Sequence, residues 1–247
     1  MRIHILACRV MTRELSALIA NCDNDIDMTW MPQGMHDTPV LLHNYLEEQL
    51  NELYRLLEKK AMKRTPDYIV LGYGLCSKSI VGLTAKDIPL VAPRVEDCIG
   101  LFLGSQDRYL DYFSRYKGTF WLNSRWVSDL PDIDDDFEEK LRAQYMEQYD
   151  DDEETVDYLM EMHASDVGNY SSVGYIRTDT FDDVRERAQA ERYAQKNGLK
   201  YFEVEGDNSL FGKIVRGDFD EKNFLIVPPG YKIEYSNGPE RIIAVPA

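Results

Sequence analysis

Residues 68–79 read Tyr-Ile-Val-Leu-Gly-Tyr-Gly-Leu-Cys-Ser-Lys-Ser, an apolar run that ends in a loop containing two glycines. An uninterrupted apolar run of this length is typical of a strand covered on both faces, as in a parallel sheet. Ligands of parallel sheets bind beyond the carboxyl ends of the strands. The stretch therefore predicts a central strand followed by a functional loop that includes Cys76.

Strand and helix patterns alternate on both sides of this stretch. The other predicted strands in the first half cover residues 2–7, 26–31, 90–92 and 118–122. Predicted helices begin at Thr12, Pro39 and Cys98, and the second carries a leucine stripe at Leu42, Leu46, Leu50, Leu53 and Leu57. Strands that alternate with helices indicate an α/β fold with a parallel sheet of the Rossmann or flavodoxin type.

The later part of the chain predicts two further segments. Residues 125–166 are helical and acidic, and we expect them to form solvated helices outside the sheet. Alternation then resumes, with strands at 175–178, 199–204 and 224–227 and a C-terminal hairpin that turns at Asn237-Gly238. We therefore expect an α/β half at 1–124, an acidic helical connection at 125–166, and a second, smaller α/β half at 167–247.

Composition limits the class of protein. The chain has 247 residues, 44% of them hydrophobic, which is enough to bury a sizeable core and excludes general disorder. The net charge of −16 argues against nucleic-acid binding, although residues 131–166 account for most of it. No apolar run approaches the roughly 18 residues of a membrane span, and the N-terminal sequence does not resemble a secretory signal. We expect a cytoplasmic protein that does not associate with a membrane.

Three of the four cysteines directly follow predicted strands. Cys8, Cys76 and Cys98 come after the first, third and fourth strands, which are neighbours in the strand order 2-1-3-4-5. Strands lie about 4.8 Å apart, so the three loops can converge on one site. Cys22 follows the first helix, on the opposite side of the sheet. We predict a shared thiolate site at Cys8, Cys76 and Cys98; the alternative is that each is a small buried apolar residue.

Thiolates select zinc, copper(I) or iron–sulfur clusters over magnesium or calcium. Three cysteines leave one position of a four-coordinate metal unfilled. A four-iron cluster would then have one iron open to substrate, whereas a zinc ion would need a fourth ligand, for which we prefer His43 to His36. Zinc is thus the alternative to the cluster.

The residues around the cysteines predict a ligand-binding loop. Cys98 would lie in the first turn of its helix, where the helix dipole favours a thiolate. Glycines let backbone approach a ligand, and arginines offset thiolate charge or bind an anion. The predicted ligand-binding residues are Gly72, Gly74, Arg94, Asp97 and Arg9.

These motifs carry a family resemblance. Leu42-His43-Asn44, Leu71-Gly-Tyr-Gly-Leu-Cys76 and Pro93-Arg94-Val-Glu-Asp97-Cys98-Ile99 together resemble the domain-of-unknown-function 1638 family. Ser77 departs from the pattern, which usually has glycine after Gly-Leu-Cys. The resemblance implies a setting in anaerobic archaea and bacteria and an association with corrinoid-dependent methyl transfer.

Three functional hypotheses follow. The first is a metal or iron–sulfur protein that acts on a small molecule at the open metal position. The second is a non-enzymatic accessory protein for a corrinoid or a methyltransferase partner, with the acidic segment as its contact surface. The third is a metal-free enzyme in which Cys98 is the nucleophile, Arg94 anchors an anion and His43 is the base.

Overall fold

The computed structural model describes residues 1–59 and 64–247. The strands in this part of the chain are β1 (Arg2–Cys8), β2 (Asp25–Met31), β3 (Tyr68–Gly72), β4 (Leu90–Pro93), β5 (Thr119–Leu122), β6 (Ser172–Arg177), β7 (Lys200–Glu205), β8 (Phe224–Val227), β9 (Tyr231–Tyr235) and β10 (Ile242–Pro246). The α-helices are α1 (Thr12–Ile19), α2 (Pro39–Glu58), α3 (Cys98–Phe102), α4 (Gln106–Arg115), α5 (Ser124–Ser128), α6 (Phe137–Gln148), α7 (Glu153–Gly168), α8 (Val184–Lys196) and α9 (Ser209–Arg216).

The main sheet has five strands in the order β2-β1-β3-β4-β8. Its first four strands are parallel, and β8 pairs antiparallel with β4. The predicted α/β class and the parallel sheet are confirmed, with neighbours 2-1-3-4 as expected. Strand β8 occupies the edge that we assigned to the fifth strand, because β5 lies in a second sheet.

Helix α2 follows its leucine pattern. Leu42, Leu46 and Leu50 are buried on one face, where the 3.6-residue period places them together. Tyr54 extends this face and is buried too; its hydroxyl accepts a hydrogen bond from the backbone N–H of Lys86 at 3.1 Å. The helix begins at Pro39, a residue suited to a first helical position because it lacks the N–H that would find no partner there.

The turn of the C-terminal hairpin is longer than predicted. β9 and β10 pair antiparallel, with Tyr235 opposite Ile242. The loop between them covers residues 236–241, so Asn237-Gly238 is part of a wider turn rather than a two-residue one. Arg241 closes this loop in the left-handed region at φ 62°, and its carbonyl accepts from the N–H of Ser236 at 2.7 Å.

The chain forms two compact units whose boundaries differ from those expected. One unit comprises Met1–Leu110 and Asp207–Ala247, and the other comprises Asp111–Gly206. The expected parts at 1–124, 125–166 and 167–247 need correction, because β8 returns to pair with β4 and α9 contacts α1. Residues 207–247 therefore belong to the first unit, and β8 completes its main sheet.

The second unit is built on a three-stranded parallel sheet in the order β5-β6-β7. The acidic segment forms the helices α6 and α7, which are mostly exposed as expected, but a few of its apolar residues pack into the core of this unit. Phe137 and Leu141 of α6 are buried in one cluster with Val173 and Tyr175 of β6. The acidic side chains at 150–154 are exposed. The segment thus packs through its few apolar residues while its charges stay in water.

None of the helices in the described part of the chain is long and apolar enough to cross a bilayer.

Candidate functional site

The site is assembled at the carboxyl ends of β1, β3 and β4. Ala7 of β1 pairs with Gly72 of β3. A Cβ on Gly72 would lie 2.6 Å from the Cβ of Ala7, far inside van der Waals contact. Glycine is therefore required for the loop after β3 to leave the sheet against the end of β1, where Cys8 is the last residue of the strand.

Gly74 brings the same loop against the loop after β4. A Cβ there would lie 2.7 Å from the backbone N and Cα of Asp97. The two loops also pair directly: the N–H of Leu75 donates to the carbonyl of Val95, and that of Cys76 to Glu96, each at 2.9 Å. Cys76 is therefore positioned beside the residues that lead into Cys98.

The backbone turns sharply at Cys76. Cys76, Ser77 and Lys78 have φ values of 44°, 56° and 69°, three consecutive non-glycine residues in the left-handed region. Such residues are strained and persist only where the surroundings hold them. The hydroxyl of Ser79 donates to the carbonyl of Cys76 at 2.6 Å, and the Lys78 ammonium lies 3.9 Å from the ring centre of Tyr235. Strain of this kind is often found at functional sites.

Asp97 fixes the start of α3. Its Oδ1 accepts from the N–H groups of Ile99 at 2.9 Å and Gly100 at 3.4 Å, which makes Asp97 the N-cap of this helix. Its Oδ2 accepts from the hydroxyl of Tyr109 at 3.0 Å. Burial raises the pKa of Asp97 despite these three hydrogen bonds. Cys98 is consequently held as the first residue of the helix.

The three thiols are close enough to influence one another electrostatically. Burial raises the pKa of Cys76 and of Cys98, and the neighbouring Asp97 and Cys8 raise both pKa values further. Cys76 also raises the pKa of Cys98. The helix dipole at the start of α3 would favour a thiolate, but α3 has only five residues, and burial acts in the opposite direction on the pKa of Cys98.

Tyr73 is a site residue that the sequence analysis missed. Its side chain is 3% exposed, and its hydroxyl is buried with no hydrogen-bond partner among the described residues. Burial raises the pKa of Tyr73, and Cys8, Cys76 and Cys98 each raise it further. The hydroxyl is therefore near enough to all three thiols for their charges to affect it. The sequence signal was a tyrosine between two glycines directly after a buried strand.

His43 contacts the loop after Cys76. Its Nδ1 lies 2.9 Å from the carbonyl oxygen of Ser79. A carbonyl only accepts, so Nδ1 is the donor, and in the neutral ring Nε2 is the nitrogen with the lone pair. Metal-binding histidines commonly hold their second nitrogen in this way. Hence the histidine that we preferred lies against the cysteine loop with a ligand nitrogen available.

Other predicted residues lie elsewhere or make different contacts. The Arg94 guanidinium donates to the backbone carbonyls of Glu221, Phe224, Glu240 and Ile242, so it fastens β4 to the C-terminal strands. Arg9 is exposed in the short turn Arg9–Met11, and His36 is exposed in Met35–Asp37.

Cys22 is away from the other cysteines, as expected. Its thiol donates weakly to the carbonyls of Asn24 at 3.5 Å and Val215 at 3.7 Å, just before β2 begins. All four cysteines are thiols rather than disulfides. Within residues 1–59 and 64–247, no three His, Cys, Asp or Glu side chains already stand around one point as the ligands of a metal ion would.

A model of the family described as proteins of unknown function, DUF1638, matches residues 30–215. The matched range includes Cys76 and Cys98, whereas Cys8 precedes it. No curated protein and no solved structure matches the chain. Since the match extends over well more than half of the 247 residues, this chain belongs to the DUF1638 family.

Proposed function

We propose that this protein binds a soft metal or an iron–sulfur cluster through Cys8, Cys76 and Cys98. The observation that carries the proposal is the position of three strand-end thiols, Cys8 and Cys76 buried and Cys98 partly buried, near a buried tyrosine hydroxyl that has no hydrogen-bond partner among the described residues. Buried polar groups are nearly always hydrogen-bonded, so an orphaned hydroxyl close to three side chains of a type that binds soft metals supports a bound group at this position.

An iron–sulfur cluster suits three cysteines best, because its fourth iron then stays open to a small-molecule substrate. Zinc is the alternative, with the Nε2 of His43 as the fourth ligand. Either group would supply a Lewis-acidic centre, and the cluster would add redox chemistry. Binding requires the thiols to lose their protons and turn toward one another, because metals bind the thiolate form.

The rival nucleophile mechanism receives less support. A cysteine nucleophile needs a lowered pKa, whereas burial raises that of Cys98. The proposed anion anchor, Arg94, is occupied by four backbone carbonyls. In a metal site a high thiol pKa is no obstacle, because the cation replaces the proton.

The setting we propose is a reducing cytoplasm, where thiols of this kind stay reduced. The family resemblance points to anaerobic one-carbon metabolism, and the negative charge disfavours a nucleic-acid partner. A role as an accessory protein for a corrinoid or a methyltransferase stays a prediction from that resemblance.

Single cysteine substitutions test the proposal. Serine is a hard donor whose hydroxyl stays protonated, so Cys8→Ser, Cys76→Ser and Cys98→Ser should each lose at least about tenfold of the bound metal under anaerobic conditions. Cys22→Ser is the matched control and should retain metal. The metal content per chain, measured by mass spectrometry, is the readout.

The outcomes separate the rival functions. Equal metal content in all four variants would remove the metal proposal. Turnover lost only in Cys98→Ser, with the metal unchanged in every variant, would favour the nucleophile instead. Colour gives an independent indication, since an anaerobically purified cluster protein is brown, a corrinoid carrier is pink to red, and a thiol enzyme is colourless.

A further inference from the structure

The hydroxyl of Tyr73 is the least explained polar group near the cysteines. The side chain is 3% exposed, and the hydroxyl oxygen has no hydrogen-bond partner in the described part of the chain. A buried donor without a partner destabilises the fold relative to a phenylalanine of the same shape. The presence of a tyrosine instead of a phenylalanine at position 73 therefore calls for a functional explanation.

The backbone leaves this hydroxyl little freedom to find another partner. Gly72 on one side of Tyr73 packs against Ala7, and Gly74 on the other packs against Asp97. The backbone at Tyr73 is thus held between the end of β1, which carries Cys8, and the loop that leads into Cys98. The three thiols and Tyr45 are near enough to raise the pKa of this hydroxyl.

We propose that the Tyr73 hydroxyl donates a hydrogen bond to a thiolate of the group bound by Cys8, Cys76 and Cys98. Tyr73 is then a positioning residue, which acts on the bound group through its ligand. This inference rests on the proposed function, because it requires the cysteines to hold a metal.

The chemistry explains why the hydroxyl is orphaned without the metal. A thiol is a weak acceptor, whereas a thiolate accepts a charge-assisted hydrogen bond. Metal binding converts the first into the second. Residues that hydrogen-bond a metal ligand commonly contribute about 10–100-fold to metal affinity.

The test uses Co²⁺ alone as the probe, titrated anaerobically into the full-length protein. Thiolate-to-cobalt charge transfer reports both stoichiometry and affinity. Tyr73→Phe should keep the stoichiometry of the wild type but bind Co²⁺ about 10–100-fold more weakly. Its charge-transfer band should move to lower energy, because a thiolate that loses a hydrogen bond gives up an electron more easily.

Tyr54→Phe is the matched control. Tyr54 is a buried tyrosine of the same unit, and its hydroxyl has a partner in the N–H of Lys86. This variant should lose thermal stability but bind Co²⁺ like the wild type. Tyr73→Phe should behave in the opposite way. Without metal, its melting temperature should equal or exceed that of the metal-free wild type. With Co²⁺, its melting temperature should be lower than that of the Co²⁺-bound wild type.

Each result has a definite consequence. Unchanged affinity and spectrum in Tyr73→Phe would overturn the inference while leaving the cysteine site in place. A metal-free Tyr73→Phe that is less stable than the wild type would also overturn it, because the hydroxyl would then have a structural partner. A wild-type protein that takes up neither Co²⁺ nor iron and sulfide would refute the proposed function first.

Discussion

Gly74 decides how closely the loops of Cys76 and Cys98 approach. In Gly74→Ala the new methyl would lie 2.7 Å from the backbone of Asp97. Backbone atoms cannot move aside as the end of a flexible side chain can. We expect a loss of about 1–3 kcal/mol in the free energy of unfolding, as for other overpacked positions. Urea denaturation measures it, and Co²⁺ binding should weaken in parallel.

Gly168→Ala controls for the change from glycine itself. A Cβ at Gly168 would meet nothing within 4 Å, and the residue is at the end of α7. This variant should be as stable as the wild type or slightly more so, because alanine favours helix. Equal destabilisation in both variants would show that contact with Asp97 is not the cause.

His4 predicts a pH dependence of stability. It is buried in β1, with its Nε2 2.9 Å from the hydroxyl of Thr29. Burial lowers its pKa from 6.5, with a smaller contribution from Arg2 and opposition from Asp27. The unfolded chain therefore takes up the proton first, so stability should fall as the pH drops below 6.5 until the folded pKa is passed.

Urea denaturation between pH 7 and about pH 5 separates this effect from that of carboxylates such as Asp220, whose pKa lies below 3.8. His4→Gln lacks the titrating group and should lose less stability over that range. Parallel curves for the two proteins would mean that His4 does not contribute.

Single residues also show where sequence reasoning succeeds and where it stops. The position of Cys98 at a helix start follows from local pattern, and α3 begins at Cys98. Arg94 could not be placed, because its carbonyl partners at Glu221 and Ile242 are more than a hundred residues away in sequence. That the Tyr73 hydroxyl lacks a hydrogen-bond partner among the described residues likewise depends on segments that meet only in the folded chain.

Among the elements, α2 gives the clearest test of packing. Leu46 is fully buried on its inner face, whereas Leu41 is 52% exposed. Leu46→Ala should cost about 2–5 kcal/mol, because it removes apolar contacts and leaves a cavity. Leu41→Ala should change the free energy of unfolding by less than about 0.5 kcal/mol. Similar losses by chemical denaturation would contradict this packing.

The local sequence pattern identifies a helix or a strand but does not give the position of a strand within its sheet. The 3.6-residue period of α2 and the apolar run of β3 each indicate the type of the element and the residues that it covers. The run that forms β8 is equally apolar, yet nothing in four residues indicates an antiparallel edge next to β4. Pairing partners are chosen by tertiary packing, which a short segment does not encode.

At the scale of the whole molecule, the division into units was the main failure of sequence reasoning. The chain leaves the first unit after Leu110 and returns at Asp207. A composition shift at residue 125 suggested a linker, but Phe137 and Leu141 bury themselves in the second unit. The density of charged residues indicated which side chains are exposed, whereas a few apolar residues determine how the segment packs.

The acidic segment offers a test at the same scale. Neutralising residues 150–154 to the corresponding amides should leave metal binding unchanged, because these side chains are exposed and belong to the other unit. Asparagine also tolerates the left-handed backbone of Asp150 and Asp151. Solubility or partner docking should change instead. Loss of metal from this variant would mean that the segment contributes to the site.

The most direct test of the cysteine site is the metal and acid-labile sulfide content of the wild-type chain after anaerobic reconstitution. We expect about four irons and four sulfides per chain if the group is the four-iron cluster, or about one zinc if His43 completes the site. A chain that binds neither, with Cys8, Cys76 and Cys98 still titrating as thiols, would contradict the account.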